Sequence, residues 1–381
     1  MSSLKRRTDH TIGLIINPIA GLGGSKALKG TDGDLAQRAI SMGAGGNAVR
    51  RTDMALASLI DILDDSDIDP FRILSCHGPM GETALLRSRY PDYSAVYSYE
   101  GKTSSGEDTT LAAAIMESMG VSLIAFAGGD GTLRDVSRGI RRMTPLIGIP
   151  SGVKMYSGVF LRKPELFGPS ILDWFESGCP TKSVNMLDFE DIAEGNISVS
   201  NFGTVVSPVL GTVQHSKEET VGDEDSKLDI AEYFISTMDD SLTYLMGTGS
   251  TVKEIVREMG YRTHVLGVDV FRGRVMVCAD ATDSMIAQAV ENAGSGKVRI
   301  VVTPTGGSGF LFGRGNQQFT PETLKKIGRE NIIVLCAPRK LESIGTIRID
   351  TGDREADRAL SGNYEVIKGF GIKRITHIGS E

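Results

Sequence analysis

Between residues 11 and 160 the chain alternates short, continuous apolar runs with segments of helical period, and no other feature restricts the fold as much. The runs are TIGLII (11–16), FRILSC (71–76), YSAVYS (93–98), VSLIAFA (121–127) and PLIGI (145–149). They do not alternate in polarity, as expected of strands covered on both faces. Between them lie DLAQRAISM, ALASLIDILDD, GETALLRSRY, DTTLAAAIMESMG and TLRDVSRGIRRM, which read as helices. Strand and helix in turn predict parallel β-α units, an α/β class and a doubly wound sheet. In such a sheet ligands bind outside the carboxyl ends of the strands.

After residue 160 the rhythm changes. SVNMLDFEDIAEGNISVSNFGTVVSPVLGTVQ (183–214) is rich in β-branched residues and turn signals, and HVLGVDVF, KVRIVVTP, NIIVLCAP and GTIRIDTG read as later strands. The expected organisation is an α/β nucleotide-binding domain over residues 1–165 and a β-rich domain over 166–381, with the tail able to return to the first. The acidic stretch HSKEETVGDEDSKLDI (215–230) reads as a solvated loop.

Composition matters here through glycine, with 46 in 381 residues, well above the usual share of about 7%. The glycines cluster at strand ends. In FAGGDGTLRDV (126–136) a buried strand runs into Gly128, Gly129, Asp130, Gly131 and Thr132, with a helix expected from Leu133 and Thr132 as its cap. Glycine amides and a helix N-terminus favour an anion. A carboxylate among them would repel a phosphate, so Asp130 is a candidate general base or Mg2+ ligand. The first strand ends in a second glycine loop, Asn17-Pro18 followed by Gly21, Gly23, Gly24 and Lys26, without Walker A spacing. A third turn carries Ser151, Gly152 and Lys154. Farther on, Asp269 is expected to end a strand as a second candidate carboxylate. The segment TPTGGSGFLFGRGNQQ (303–318) offers Gly307 and Arg314, the latter suited to bidentate phosphate contact.

These motifs carry a resemblance. GGDGT after a buried strand, with an NPxxG turn near the start, resembles the NAD kinase and diacylglycerol kinase superfamily. GIPSGVKMYSGV (148–159) and GTGSTVKEI (247–255) are similar to two further NAD kinase segments, and the whole is most similar to the ATP-NAD kinase-like branch that includes the acetoin-catabolism protein X group. The resemblance implies a C-terminal β-rich domain, substrate held between two domains, and transfer of phosphate from ATP or polyphosphate, with Mg2+, to the 2'-hydroxyl of NAD. It implies that Asp130 meets the ribose hydroxyl as base and that Thr248, Gly249, Ser250 and Thr251 help hold the dinucleotide. It further implies a homo-oligomer. Val252-Lys253 stand where the family has an aromatic residue. Two other functions stay open from the residues: a kinase of the same superfamily acting on another small-molecule or lipid hydroxyl, and a nucleotide-binding regulator without turnover.

With 48 acidic and 41 basic side chains the net charge is −7, and no cationic block advertises nucleic-acid binding. The N-terminus lacks a secretory h-region and no apolar run reaches the ~20 residues of a membrane span. A cytoplasmic protein with neither nucleic acid nor membrane as partner is expected. Four scattered cysteines read as reduced thiols.

Overall fold

The structure, a computed structural model, describes residues 10–21, 47–66, 68–100, 103–152, 155–192, 196–213, 223–306 and 308–380. The chain divides into two compact units. The first takes in residues 1–22, 45–188 and 199–216, and the second 23–44, 189–198 and 217–381.

In the first unit the five apolar runs form β1 (Thr11–Ile16), β2 (Arg72–Cys76), β3 (Tyr93–Tyr97), β4 (Leu123–Gly128) and β5 (Leu146–Pro150). Their order is β3-β2-β1-β4-β5, and every pairing is parallel. The alternation of side chains along each strand divides the core in two. Ile12, Leu14 and Ile16 of β1 pack with the helices Asn47–Asp64 and Phe167–Glu176, while Ile15, Ile124 and Phe126 pack with the helix Gly106–Ser118 and with Leu133 and Val136. Helices on both faces explain the continuous apolar runs. The helix Phe167–Glu176 and the two-stranded ribbon of β6 (Thr181–Ile192) and β7 (Asn196–Pro208), although beyond residue 165, belong mostly to this unit.

The second unit holds a nine-stranded mixed sheet. Its strands are β8 (Thr243–Met246), β9 (Asp269–Arg272), β10 (Val275–Cys278), β11 (Val298–Val302), β12 (Phe310–Phe312), β13 (Ile332–Leu335), β14 (Ile347–Ile349), β15 (Gly362–Gly369) and β16 (Ile372–Ser380). The order is β10-β9-β8-β11-β13-β15-β16-β14-β12. β8, β11, β13 and β15 run parallel through the middle. The unit is β-rich as expected, and helices cover both faces of its sheet. The C-terminal tail supplies β15 and β16 to this sheet.

Several local expectations need correction. The acidic segment is not a loop throughout: a helix begins at Glu224, and Asp223 is 2% exposed. Acidic residues in a first helical turn suit the helix dipole, so composition concealed a helix start. Asp269 begins β9 and does not end a strand. The glycine-rich stretch after Thr303 contains β12, placed at the far edge of the sheet. The predicted helix over residues 34–42 lies outside the described residues. All four cysteines are free, and burial pushes the Cys76 thiol up to about 12 and that of Cys336 to about 11.

Candidate functional site

Strand order fixes where a site can form in the first unit. The chain builds outward from β1 to β2 and β3, then crosses back to place β4 on the other side of β1. The switch point therefore falls between β1 and β4, where loops leave adjacent strands toward opposite faces and open a crevice. Asn17 follows β1 and the GGDGT turn follows β4, so two motifs far apart in sequence meet at this crevice.

Their contact is direct. The Asn17 backbone amide donates to Ala127 O at 3.0 Å, and its side-chain Nδ2 donates to Thr132 Oγ1 at 3.0 Å. Asn17 Oδ1 accepts from Ile19 N at 3.2 Å, holding the turn after β1. Thr132 is thus committed to Asn17 and does not cap the helix. That helix starts at Asp130, earlier than expected, with Gly129 as its cap residue and no side-chain cap.

The third loop closes on the first two. Gly128 O accepts from Ser151 N at 3.3 Å and from Gly152 N at 3.0 Å. A Cβ on Gly152 would lie 2.5 Å from Gly129 Cα, and a Cβ on Gly21, whose φ is +77°, would lie 2.2 Å from Ser151 O. Both positions need glycine because backbone meets backbone there. Ser151, 1% exposed, turns its hydroxyl to Ile149 O at 3.0 Å. Space beside Gly131 is open, since a Cβ there would meet nothing within 4 Å. The glycine excess read in the sequence thus has two uses: close loop packing, and an unobstructed backbone at the first turn of the helix.

Asp130 is 1% exposed. Its Oδ2 accepts from Tyr156 N at 2.6 Å and its Oδ1 from Ser157 N at 3.1 Å. Ser157 in turn accepts from Leu187 N at 2.9 Å through its hydroxyl, tying the loop to β6. The role of Tyr156 and Ser157 escaped sequence reasoning because they act through main-chain amides, which leave no mark on residue type. The two amides fix the orientation of the carboxylate, whose oxygens offer about four acceptor positions in all.

His77 is a second feature that the sequence did not bring forward. It follows β2, and its Nδ1 lies 3.2 Å from Glu82 Oε2, which also accepts from Gly78 N at 3.0 Å. The Gly78 amide holds the Glu82 carboxyl below its ordinary range against the opposing effect of burial, with His77 adding to the lowering. A cavity of about 290 Å³ lined by Leu146, Met186 and Phe202 lies toward the amino-terminal end of β5, away from the glycine loops.

In the second unit Thr248 and Gly249 follow β8, and Ser250 and Thr251 open the helix Ser250–Glu258. Asp269 is fully buried, with Oδ2 2.5 Å from Lys253 Nζ and 2.7 Å from Thr263 Oγ1, and Oδ1 accepting from Asp280 N at 2.9 Å. These partners hold its carboxylate in place within the unit. Arg314, 5% exposed, bonds Asp350 Oδ2 at 3.2 Å and lies over the Phe310 ring at 4.5 Å. Gly23, Gly24, Lys26, Lys154 and Gly307 lie outside the described residues.

Among the described residues no group of three or more His, Cys, Asp or Glu gathers as a cation cage.

A doubly wound sheet with three interlocked glycine loops at its switch point is the architecture of a nucleotide-binding protein. Two family models match the chain: the ATP-NAD kinase N-terminal domain over residues 13–175 and the ATP-NAD kinase C-terminal domain over 239–377. The chain belongs to the NAD kinase family and is an NAD kinase-like phosphotransferase. No curated protein and no solved structure matches it.

Proposed function

We propose that the protein transfers the terminal phosphate of ATP, or of polyphosphate, to the 2'-hydroxyl of the adenosine ribose of NAD, giving NADP. With ATP, the new bond joins the ribose oxygen to the γ-phosphorus, the bridging P–O bond to the β-phosphate breaks, and ADP leaves. Phosphoryl transfer asks little covalent work of a protein and depends on positioning and charge stabilisation. The observation that carries this reading is the Asp130 carboxylate, held at the switch point by two amides beside an open glycine turn. Asp130 would accept the hydrogen bond of the attacking hydroxyl and take its proton as the bond to phosphorus forms. Amides of the GGDGT turn would face the phosphates, and the metal in this reading is the Mg2+ that ATP brings with it.

The test is Asp130→Asn with Mg-ATP and NAD. Turnover is expected to fall by about two to four orders of magnitude, the usual scale of a lost general base. Because an amide NH2 would then face a main-chain N–H, circular dichroism and a melting curve must accompany the assay. A folded variant with unchanged turnover would remove Asp130 as base. A panel of alcohol acceptors in the same assay decides the acceptor: rapid phosphorylation of another hydroxyl with none of NAD would move the protein to another reaction of its superfamily.

A further inference from the structure

The first unit holds a second concave site besides its switch point. The cavity of about 290 Å³ lies where the chain turns from the helix Asp130–Gly139 into β5, and the ribbon of β6 and β7 completes its wall. The turn and the start of β5 contribute Ile140, Met143 and Leu146, and the ribbon contributes Met186, Phe202 and Val205. These six side chains are apolar, and the volume is close to the lower end of the range of about 300–1,000 Å³ usual for ligand pockets. Met143 and Phe202 expose 62% and 37% of their surface, apolar area that a ligand would cover.

Polar groups on the wall are few, and the way they are used narrows what can bind. Ser137 Oγ donates to Arg134 O at 2.8 Å, Thr144 Oγ1 to Glu117 Oε1 at 2.9 Å and Thr204 Oγ1 to Asn185 Oδ1 at 3.5 Å. That leaves the exposed Arg141 guanidinium as the wall's one uncommitted side-chain donor, with neither an acid nor a carbonyl partner among the described residues. Glu117 meets the main chain of this turn and not the guanidinium: its carboxylate accepts the amides of Arg141 and Arg142 along with the Thr144 hydroxyl. A second cation stands beside the wall, where the Arg134 guanidinium lies over the Phe202 ring at 4.6 Å. An apolar hollow with an available guanidinium at its edge complements an anion with an apolar body, and the planar fork of arginine matches the two oxygens of a carboxylate. We propose that the cavity binds a small monocarboxylate with an apolar body, and that its occupancy is coupled to the Asp130 carboxylate.

The coupling follows from the elements that wall the cavity. The helix Asp130–Gly139 carries Asp130 in its first turn and Ser137 in its last, so one rigid element joins the carboxylate to the cavity. Met186 is followed by Leu187, whose amide donates to Ser157 Oγ at 2.9 Å, and the Ser157 amide donates to Asp130 Oδ1 at 3.1 Å. A ligand that shifts Met186 or the last turn of the helix therefore acts on two supports of the carboxylate, through packed and hydrogen-bonded neighbours. The binding half of the proposal stands without the function proposed above; the coupling half rests on it.

The test uses the full chain with octanoate as the probe and 1-octanol as its neutral counterpart, titrated by calorimetry into wild type, Arg141→Met and Arg141→Lys. The bond from the Arg141 amide to Glu117 belongs to the main chain and survives both substitutions, and a melting curve checks that each variant is folded. Octanoate affinity should fall about fivefold or more in Arg141→Met and stay within about threefold in Arg141→Lys, while octanol affinity is the same in all three. Equal octanoate affinity in wild type and folded Arg141→Met, an equal loss for octanol, or no octanoate binding to wild type at about 5 mM overturns the site. For the coupling, kcat for NADP formation is measured at saturating Mg-ATP and NAD, with and without octanoate. It should shift about threefold or more in wild type and stay constant in Arg141→Met at the same octanoate concentration. An unchanged wild-type kcat with octanoate bound removes the coupling and keeps the site. If wild type makes no NADP, the function proposed above fails and takes the coupling with it, whereas the octanoate titrations still decide the cavity.

Discussion

Asp130 and Asp269 look alike in the sequence, each an acid at the boundary of an apolar run, yet their surroundings differ in kind. Asp130 meets main-chain donors in the hydrogen bonds from Tyr156 and Ser157, whereas Asp269 meets the Lys253 ammonium, the Thr263 hydroxyl and the Asp280 amide. The first was legible because its neighbours in sequence, the residues of the glycine turn, are also its neighbours in space. The partners of the second were not legible, because Lys253 lies on a helix whose packing against β9 no local pattern announces. The Lys253–Asp269 pair is dry, with side-chain exposures of 10% and 0%. Asp269→Asn should therefore remove the charge from one side of a buried pair and lower stability by about 3–5 kcal/mol, the usual cost of removing one partner. Urea unfolding of the purified variant checks this. A midpoint equal to wild type would mean that the pair contributes nothing, and the freed residue would return as a candidate ligand.

At the scale of elements, the parallel strands of the first unit were legible because burial on both faces leaves a continuous apolar signature that needs no partner to be recognised. The helix Gly106–Ser118, expected from Asp108, starts two residues earlier, where Ser105 and Asp108 form a reciprocal capping box: Asp108 N donates to Ser105 Oγ at 3.3 Å and Ser105 N to Asp108 Oδ2 at 2.7 Å. The other end of that helix was not legible. Glu117, 7% exposed, accepts from the amides of Arg141 and Arg142 at 2.7 and 2.9 Å and from Thr144 Oγ1 at 2.9 Å, gathering the turn that leads into β5. Burial raises its carboxyl, but the two amides and the hydroxyl outweigh that effect and hold it below the usual glutamate range. A carboxyl lowered by folding contributes stability above its unfolded pKa, and that contribution is lost as pH falls through the folded value. Wild type should thus lose stability on acidification below about pH 4 more steeply than Glu117→Gln, which at neutral pH should already be weaker by about 1–3 kcal/mol. Unfolding midpoints measured from neutral pH down through this range test both statements, and parallel curves for the two proteins would contradict them.

The nine-stranded sheet of the second unit shows what an element list misses. Of its parallel middle strands, β11 and β13 were recognised from their apolar runs, whereas β8, in a stretch of helix-like pattern, and β15 were not, and the order that sets β11 beside β8 follows from a long crossover to which local pattern is blind. Each unit nevertheless repeats one design, a parallel core with glycine loops at the switch between neighbouring strands. Across the whole molecule that design coexists with a net charge of −7. Long-range electrostatics therefore do not favour a polyanion such as ATP, and affinity in the proposed reaction must come from contacts within a Debye length, about 8 Å at physiological salt. Added salt screens the repulsive far field and weakens amide contacts little, because a main-chain dipole carries no net charge. The dissociation constant for Mg-ATP should accordingly change by less than about threefold, or fall, as ionic strength rises from about 0.05 to about 0.3 M. A site built on a cluster of exposed lysines would lose affinity steeply over the same range. Calorimetric titration across a series of salt concentrations separates the two, and a steep loss would show that side-chain cations, rather than glycine amides, carry the phosphates.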